Sequence, residues 1–440
     1  MKWDGTGLKQ LTMDGSNPSY ISWSKDGKKI YFLRRGGNIA SVSLDGKKLK
    51  NINFRAKMII DHVAEKLQMF DEAWQTLNDR FYDPNFHGVN WRKMREKYRP
   101  LASKTITRED FHDVIRLMIG ELNSSHLGIS PPRPENAVST GMLGLRFDPD
   151  YKGKGLKVKS VIPDGPCDKE KARVYPGEIL ISIDGQAIEK HTNIHQLLND
   201  KVGEKVEIEV IGKNGKKRTL IVKPMNYSQF LQKEYDRWVE EKRTLVEKLS
   251  NGRLGYIHIQ AMNEPSLERF EMELYSVAHG KDGLVIDVRN NGGGWTTDYL
   301  LAILSPKPHA ITIPRGGEKG YPQDRRPLYA WTKPIIVLCN EYSYSNAEIF
   351  SHAIKTLKRG KVVGQATSGS VISTGGISLI DGSRFRVPYR GWYVITTGLN
   401  MEGNGCIPDI IVPDFPQDIE KGIDRQLERA IKELLKEIRG

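Results

Sequence analysis

The sequence has 440 residues, and its 67 basic and 54 acidic side chains give a formal net charge of +13. At about 150 residues per domain, this length predicts two to four domains. No apolar run approaches the roughly 18 residues of a membrane span, and the amino terminus lacks the apolar stretch of a secretion signal. Basic residues alternate with acidic ones instead of clustering with aromatic residues. We therefore expect a cytoplasmic protein without a membrane or nucleic-acid partner.

The cysteines are Cys167, Cys339 and Cys406, which lie far apart in the sequence. Their spacing matches neither a disulfide framework nor a set of metal ligands. We expect reduced, buried thiols, no metal site and no cofactor.

Residues 1–52 alternate apolar and polar positions between Asp-Gly and Gly-Gly turns. This pattern predicts four short antiparallel strands, the first at residues 8–12. The segment SWSKDGKKIYF resembles one blade of a β-propeller. Because a propeller closes only with several blades, these residues indicate either a propeller that has been lost or a sequence that begins inside one.

Residues 53–137 change to a helical pattern, with apolar side chains three and four positions apart. The segments IIDHVAEKLQMFDEAWQTLNDRFY and REDFHDVIRLMIGELN carry this pattern most clearly. They predict an all-helical cap domain. Its last helix leads directly into Ser124, Ser125 and His126.

Residues 138–224 predict a small β domain. The glycine-bounded run at 141–147, two strands around a Pro-Gly-Glu turn, and a short helix near 191–200 resemble a PDZ domain. The segment GMLGL would form the carboxylate-binding loop of such a domain, where backbone N–H groups receive a peptide terminus. The peptide-binding positions predicted there are Gly141, Leu143, Gly144 and Leu145.

Residues 225–440 alternate strands and helices. The continuous apolar runs LVIDV and IIVLC are typical of buried parallel strands joined by crossover helices. The carboxy-terminal segment repeats apolar residues every three to four positions, so we expect an amphipathic helix that covers one edge of the sheet. The predicted fold class is therefore multidomain, α+β and α/β: a propeller-like blade, a helical cap, a PDZ-like domain and an α/β core.

A run of three glycines, Gly292, Gly293 and Gly294, follows one predicted strand of the core. Active sites of α/β sheets lie beyond the carboxyl ends of the strands, and glycines there let backbone N–H groups approach a ligand. A simple tight turn is the alternative. Nucleotide binding is disfavoured because the lysine and hydroxyl of a phosphate loop are missing.

Ser345 lies between another predicted strand and a helix, in NEYSYSNAEIF. A serine at such an elbow can act as a nucleophile, and the N–H of Asn346 would stabilise a negative oxygen. An ordinary helix cap is the alternative. A nucleophilic serine needs a base, and His126 is a candidate because of its Ser-Ser-His turn. His87, in DPNFHGVNW, could equally stabilise a loop.

Taken together, seven segments in this order resemble the catalytic half of the tricorn protease family, within the tail-specific or C-terminal processing peptidases. They are DEAWQTLNDRFYDPNFHGVNW, ELNSSHLG, the PDZ-like segment, GYIHI, VIDVRNNGGG, NEYSYSNAEIF and GLNMEGNGCIPDIIVPD. The resemblance runs from about residue 53 to the end of the chain. It implies a serine peptidase that acts on peptides.

The resemblance also assigns roles to individual residues. Ser345, three positions before Glu348, matches the nucleophile, and His126 matches the general base. Ser125 matches the serine that orients the imidazole, and Glu402 matches the glutamate that polarises this relay. The three glycines at 292–294 and the Asn346 amide match the oxyanion hole. Tricorn enzymes usually carry an acidic residue where Asn346 stands, but that position contributes its backbone N–H.

Two alternatives are a different peptidase and a protein that is not an enzyme. Processing peptidases with a serine–lysine dyad carry a lysine about 25 positions after the serine, where this sequence has Ser370. An inactive module that only binds peptides would have been free to lose Ser345, His126, Ser125 and Glu402. The sequence therefore favours a tricorn-type serine peptidase with histidine as the base.

Substrate preference and assembly follow only from the resemblance. Tricorn enzymes use an acidic pocket residue to prefer basic side chains, and Glu318 or Asp324 could serve here. Because tricorn enzymes assemble into rings, we expect a homo-oligomer.

Overall fold

We describe the protein from a computed structural model. The structure describes residues 4–13, 15, 17–54, 57–132, 138–189, 191–306, 313, 315–316 and 330–439. The chain divides into two compact units, residues 1–65 and residues 66–440. The candidate acidic pocket residues Glu318 and Asp324 lie outside the described residues. No helix among the described residues is long and apolar enough to cross a membrane.

The first unit contains an antiparallel sheet in sequential strand order, with a small core of Phe32, Ala40 and Val42. Its strands are β1 (Ser19–Trp23), β2 (Lys29–Leu33), β3 (Ile39–Ser43) and β4 (Lys50–Asn51). The strand predicted at residues 8–12 is wrong, because this segment pairs with no other strand and Leu8 is exposed. A strand so short needs a partner and a buried face to be stable.

Three helices build the cap. They are α1 (His62–Arg80), α2 (Trp91–Ala102) and α3 (Arg108–Gly120). Apolar side chains at helical spacing meet in a core that includes Phe70, Leu77, Phe111 and Ile115. The Thr107 hydroxyl caps α3 by accepting from the Asp110 N–H, and the Asp110 carboxylate accepts from the Thr107 N–H. The short strand β5 (Gly128–Ser130) follows soon after this helix.

The PDZ-like segment folds into a sheet with the strand order β11-β10-β8-β7-β6, and β9 pairs with β8. The strands are β6 (Leu145–Phe147), β7 (Leu156–Val161), β8 (Ile179–Ile183), β9 (Gln186–Ala187), β10 (Val206–Ile211) and β11 (Lys217–Val222), and the helix is α4 (Ile194–Leu197). Alternating apolar residues such as Ile208 and Val210 face its core.

The remaining chain contains a five-stranded sheet with the order β12-β13-β14-β15-β18. All neighbouring strands in it are parallel, where the sequence predicted a mostly parallel sheet. Its strands are β12 (Leu254–His258), β13 (Gly283–Asp287), β14 (Ile335–Cys339), β15 (Lys361–Gly364) and β18 (Ile410–Ile411). The helices are α5 (Tyr227–Ser250), α6 (Glu264–Ser276), α7 (Thr297–Leu304), α8 (Asn346–Thr356), α9 (Pro416–Glu420) and α10 (Arg425–Arg439).

Helices cover both faces of this sheet. On one face, α5 and α10 pack on side chains such as Tyr256 and Leu338. On the other, α6, α7 and α8 pack on side chains such as Ile286 and Val337. The expectation that the carboxy-terminal helix covers an edge is wrong: α10 lies against β13, β14 and β15, because its apolar stripe is buried against the face of the sheet.

A small antiparallel sheet joins the cap to the core. It has the order β16-β17-β5 and adds the strands β16 (Ile372–Ser378) and β17 (Arg384–Gly391). Within it, Arg386 of β17 pairs with Gly128 of β5. This pairing holds the chain just after His126 against the core.

Candidate active site

Ser345 lies at the turn between β14 and α8. All five residues of β14 are buried, so the strand fixes the start of the turn within the core. Ser345 has φ 54° and ψ −113°, a backbone conformation that non-glycine residues rarely adopt. Such strain is common where a serine is presented above a sheet at the start of a helix. The geometry thus places this half-buried serine at the amino terminus of α8.

The glycine run packs directly against this turn. A Cβ atom on Gly293 would lie 2.8 Å from the Ser345 Cβ and 3.1 Å from the Asn346 nitrogen. On Gly294, a Cβ would lie 1.9 Å from the Met262 carbonyl oxygen. Only glycine fits at these positions, and Gly293 and Gly294 also have φ values of 86° and 146°. The close approach of the two backbones therefore depends on the glycines.

The backbone N–H groups at this contact differ in availability. The Gly293 N–H donates to the Asn291 side-chain oxygen at 2.9 Å. The N–H groups of Gly292, Gly294 and Asn346 have no hydrogen-bond partner among the described residues. Unpaired amides beside a serine hydroxyl can bind a negatively charged oxygen. The site therefore offers Gly292, Gly294 and Asn346, and not Gly293, as free donors.

The Asn346 side chain has a separate structural role. Its oxygen accepts from the Thr297 N–H at 3.0 Å and from the Thr297 hydroxyl at 2.9 Å. This contact joins the first turn of α8 to the first turn of α7. An amide oxygen at this position accepts from both Thr297 donors, as a carboxylate would.

His126 is 6% exposed and lies beside the nucleophile turn, with its ring centroid 5.0 Å from that of Tyr344. Its Nδ1 accepts a hydrogen bond from the Arg386 guanidinium at 2.8 Å, and its Nε2 lies 3.0 Å from the Ser370 carbonyl oxygen. Burial lowers the pKa of His126, the positive charge of Arg386 lowers it further, and the Ser370 carbonyl opposes both. The structure thus places His126 against the residue that precedes Ser345, and no hydrogen bond joins His126 to Ser345.

Of the predicted relay, the link between Ser125 and Glu402 is formed in the structure. The Glu402 carboxylate accepts from the Ser125 N–H at 2.6 Å and from the Ser125 hydroxyl at 2.9 Å. It also accepts from the Val371 N–H at 2.9 Å. The Nδ1 atom of His126, which this relay would orient, is bonded to Arg386 instead.

Glu348 links the nucleophile to the loop at 367–370, a role that the sequence did not reveal. Its side chain is fully buried. One carboxylate oxygen accepts from the N–H groups of Ser345 and Ser370, both at 2.9 Å. The other accepts from the Thr367 hydroxyl and the Gly369 N–H, both at 2.6 Å. Glu348 and Glu402 together hold consecutive N–H groups of residues 369–371.

A buried ionic network lies beneath the glycine run. Asp287, at the end of β13, accepts from the Arg289 side chain and from the Tyr256 hydroxyl. Arg289 also donates to Asp424, just before α10, at 2.9 and 3.0 Å. Burial raises the pKa of Asp424, but the charges of Arg289 and Lys242 outweigh it and hold that pKa well below its usual range. The loop that carries the glycines is thus anchored to the carboxy-terminal helix.

His87 takes the loop-stabilising role that the sequence left open. Its Nδ1 lies 2.8 Å from the Leu122 carbonyl oxygen, and its Nε2 lies 2.6 Å from the Tyr82 hydroxyl. These contacts fix the segment between α3 and Ser124. A cavity of about 760 Å³ lies beside it and reaches Ser125 and Glu402.

In the glycine loop of the PDZ-like domain, two backbone N–H groups already donate to carbonyl groups of the same chain. The Gly141 N–H donates to the Leu198 carbonyl at 2.8 Å, and the Met142 N–H donates to the Met225 carbonyl at 2.7 Å. Leu143 and Leu145 are buried in the domain core, and Gly144 packs near Pro166. Gly141 therefore has no free amide for a peptide terminus in this arrangement, and peptide binding at this loop stays a prediction.

The described part of the chain contains no group of His, Cys, Asp and Glu side chains able to hold a metal ion. The three cysteines are free and buried, and burial raises the pKa of Cys167 to about 12.

Three family models match the chain. Residues 253–412 match peptidase family S41, residues 62–120 match the tricorn protease C1 domain, and residues 141–227 match the tricorn protease PDZ domain. The S41 match contains the serine turn and the glycine run described above. The serine turn and the glycine run thus lie in a segment that is similar to peptidase family S41.

The chain is also similar to individual tricorn proteases. The chain is 30% identical over 438 residues to tricorn protease homolog 1 of Streptomyces coelicolor, covering 95% of this chain and 40% of that protein. It is 29% identical over 437 residues to the tricorn protease of Thermoplasma volcanium, covering 94% and 41%. A crystal structure of the tricorn protease superposes with a TM-score of 0.82 at 28% identity, covering 96% of this chain and 42% of that one.

The chain is similar to the tricorn proteases over nearly its whole length, as the sequence resemblance predicted. It spans about two fifths of the length of these relatives.

Proposed function

We propose that this chain hydrolyses peptide bonds in oligopeptides or unfolded polypeptides, with Ser345 as the nucleophile and His126 as the general base. The strained Ser345 turn beside the glycine run is the observation that carries the proposal. A helix cap alone requires neither this backbone strain nor unpaired amides at Asn346 and in the adjoining glycine run.

The first half of the reaction forms an acyl-enzyme. The Ser345 oxygen attacks the carbonyl carbon of the scissile bond while His126 accepts the Ser345 proton. The N–H of Asn346 and an N–H of the glycine run, Gly292 or Gly294, stabilise the resulting oxyanion. The intermediate then expels the amine, which takes the proton from His126, and the acyl group remains on Ser345 as an ester.

The second half releases the acyl group. A water molecule attacks the ester carbonyl while His126 accepts a proton from it. The carboxylate product leaves, and the proton returns to the Ser345 oxygen. Ser125 and Glu402 orient the imidazole through its Nδ1 and stabilise the imidazolium, as an aspartate does in other serine peptidases. For Ser125 to orient the imidazole, the Nδ1 atom of His126 must break its hydrogen bond with Arg386 and form one with Ser125.

The experiment is a comparison of Ser345→Ala with a matched serine variant. Ser378→Ala changes an exposed serine of β16. We expect Ser345→Ala to abolish cleavage of a fluorogenic peptide and of an unfolded polypeptide. The free energy of unfolding should change by less than about 2 kcal/mol, which is the effect of losing a helix cap. Ser378→Ala should behave as the wild type. Full turnover by pure Ser345→Ala protein would remove Ser345 from the mechanism, and an inert wild type would favour a peptide-binding module.

The domain organisation supports further parts of the proposal. We assign residues 1–52 to a propeller-like blade, 53–137 to the cap, 138–224 to the PDZ-like domain and 225–440 to the catalytic core. The PDZ-like domain would bind an extended peptide. We also propose that the protein is cytoplasmic and forms a homo-oligomer. Light scattering of the purified protein would test the oligomeric state.

A further inference from the structure

The hydrogen bonds of His126 fix the position of its proton. A guanidinium can only donate, so the Nδ1 atom that faces Arg386 must carry a lone pair. A carbonyl oxygen can only accept, so the Nε2 atom that faces Ser370 must carry the proton. Both contacts therefore require the same neutral form of the imidazole, with its hydrogen on Nε2.

This form of His126 cannot act as a base for Ser345. Its Nε2 already carries a proton, and the lone pair on its Nδ1 is bonded to Arg386. The proposed reaction also turns the imidazole into a cation, which a guanidinium at 2.8 Å opposes. The groups facing the ring are Arg386 from β17, Tyr344 from the nucleophile turn and, through Ser125, the Glu402 carboxylate.

Two features place Arg386 at this point. Its pairing with Gly128 brings β17 alongside the chain that leaves His126, so the side chain reaches the imidazole directly from the neighbouring strand. Among the described residues, no carboxylate lies within ion-pair distance of the half-buried Arg386 guanidinium. The Arg386 guanidinium thus donates to His126, and no ion pair with a described residue holds it there.

We propose that Arg386 is a positioning residue that holds His126 in a resting form, and that it must withdraw before His126 can accept the Ser345 proton. This inference rests on the proposed function, since it assigns Arg386 a role through the catalytic base. When the guanidinium leaves, the imidazole can release its Nε2 proton to solvent and take one from solvent on Nδ1. The Nδ1–H group can then donate a hydrogen bond to the Ser125 hydroxyl, and the lone pair on Nε2 can turn from the Ser370 carbonyl to Ser345. Ser125 and Glu402 are already joined and need no rearrangement.

The test compares Arg386→Met with Arg386→Lys and with Arg384→Met. Methionine removes the donor and the charge, lysine keeps a charge and a donor, and Arg384 is an exposed arginine two residues away on the same strand. Because a base that is competent only part of the time lowers the rate by that fraction, we expect Arg386→Met to raise kcat/KM by about threefold or more. The pKa in its pH profile should rise toward the ordinary histidine value. Arg386→Lys and Arg384→Met should keep the wild-type pH profile.

A fall in kcat/KM, or an unchanged pH profile in Arg386→Met, would overturn the inference. Thermal unfolding of each variant checks that the fold is intact.

A second measurement does not depend on activity. Nitrogen NMR of histidine-labelled wild-type protein, with His126→Gln used to assign the signal, should show His126 protonated on Nε2. In Arg386→Met the signal should move toward a mixture of both tautomers. A wild-type His126 protonated on Nδ1 would overturn the inference even in an active peptidase. An inactive wild type with the expected signal would instead count against the proposed function alone.

Discussion

Replacing Glu348 by Gln tests how the nucleophile turn and the loop at 367–370 are held together. The substitution keeps the volume of the side chain and one acceptor oxygen. The other oxygen becomes an NH2 group that faces donors at 2.6 Å, the Thr367 hydroxyl and the Gly369 N–H. Alternatively the amide turns over and faces the N–H groups of Ser345 and Ser370. Either way, two donors lose their acceptor within a fully buried site.

The size of the effect follows from these contacts. A hydrogen bond to a charged group contributes about 1.5–3 kcal/mol, so two lost bonds remove about 3–6 kcal/mol. A neutral amide is less costly to bury than a carboxylate, and this difference offsets part of the lost stability. We therefore expect Glu348→Gln to lower the free energy of unfolding of the catalytic core by about 3 kcal/mol. Displacement of Ser345 by about 1 Å would lower kcat/KM by about 100-fold.

The assay pairs denaturant unfolding with peptide hydrolysis, and Glu341→Gln is the control. Glu341 lies in the same turn, but its side chain is exposed. The control should match the wild type in both measurements. If Glu348→Gln unfolds at the same denaturant concentration as Glu341→Gln, the carboxylate does not hold this loop and the reasoning is refuted.

Two further predictions concern pH and the buried ionic network. Because burial and Arg386 lower the pKa of His126, kcat/KM should rise with an apparent pKa below about 6.5, measured from pH 4 to 8, and a rise only in the alkaline range would exclude His126 as the base. Asp424→Asn should lower the free energy of unfolding by about 3 kcal/mol at pH 7, because it leaves part of the Arg289 charge unpaired. The depressed pKa of Asp424 contributes stability above its unfolded value of about 3.9 that is lost as pH falls, so unfolding measurements should show the gap between variant and wild type closing in acid.

Local sequence patterns predicted the elements around Ser345 because they depend on neighbouring residues. Continuous apolar runs predicted the parallel strands, and the turn between β14 and α8 followed from a buried strand that leads into a helix. The glycine run was recognised for the same reason. By contrast, residues 8–12 alternate like a strand but find no partner, and partners are not encoded locally.

Distant contacts could not be read from the residues themselves. Ser125 and Glu402 meet only because the folded chain brings the cap turn against the core, and the sequence linked them through family resemblance alone. Arg386 gave no signal, because it is one of several basic residues in a polar strand and its effect depends on the pairing of β17 with β5. The acidic position three residues after Ser345 was noticed, but the hydrogen bonds of Glu348 to residues 367–370 were not.

Active-site labelling tests the central claim most directly. A fluorophosphonate reacts only with a serine whose oxygen is activated and whose oxyanion is stabilised. Mass spectrometry of the digested wild-type protein should find one adduct, on the peptide that contains Ser345. The adduct should be absent in Ser345→Ala and form much more slowly in His126→Ala. An adduct on another serine of the wild type, or undiminished labelling of Ser345→Ala, would contradict the assignment of Ser345 as the nucleophile.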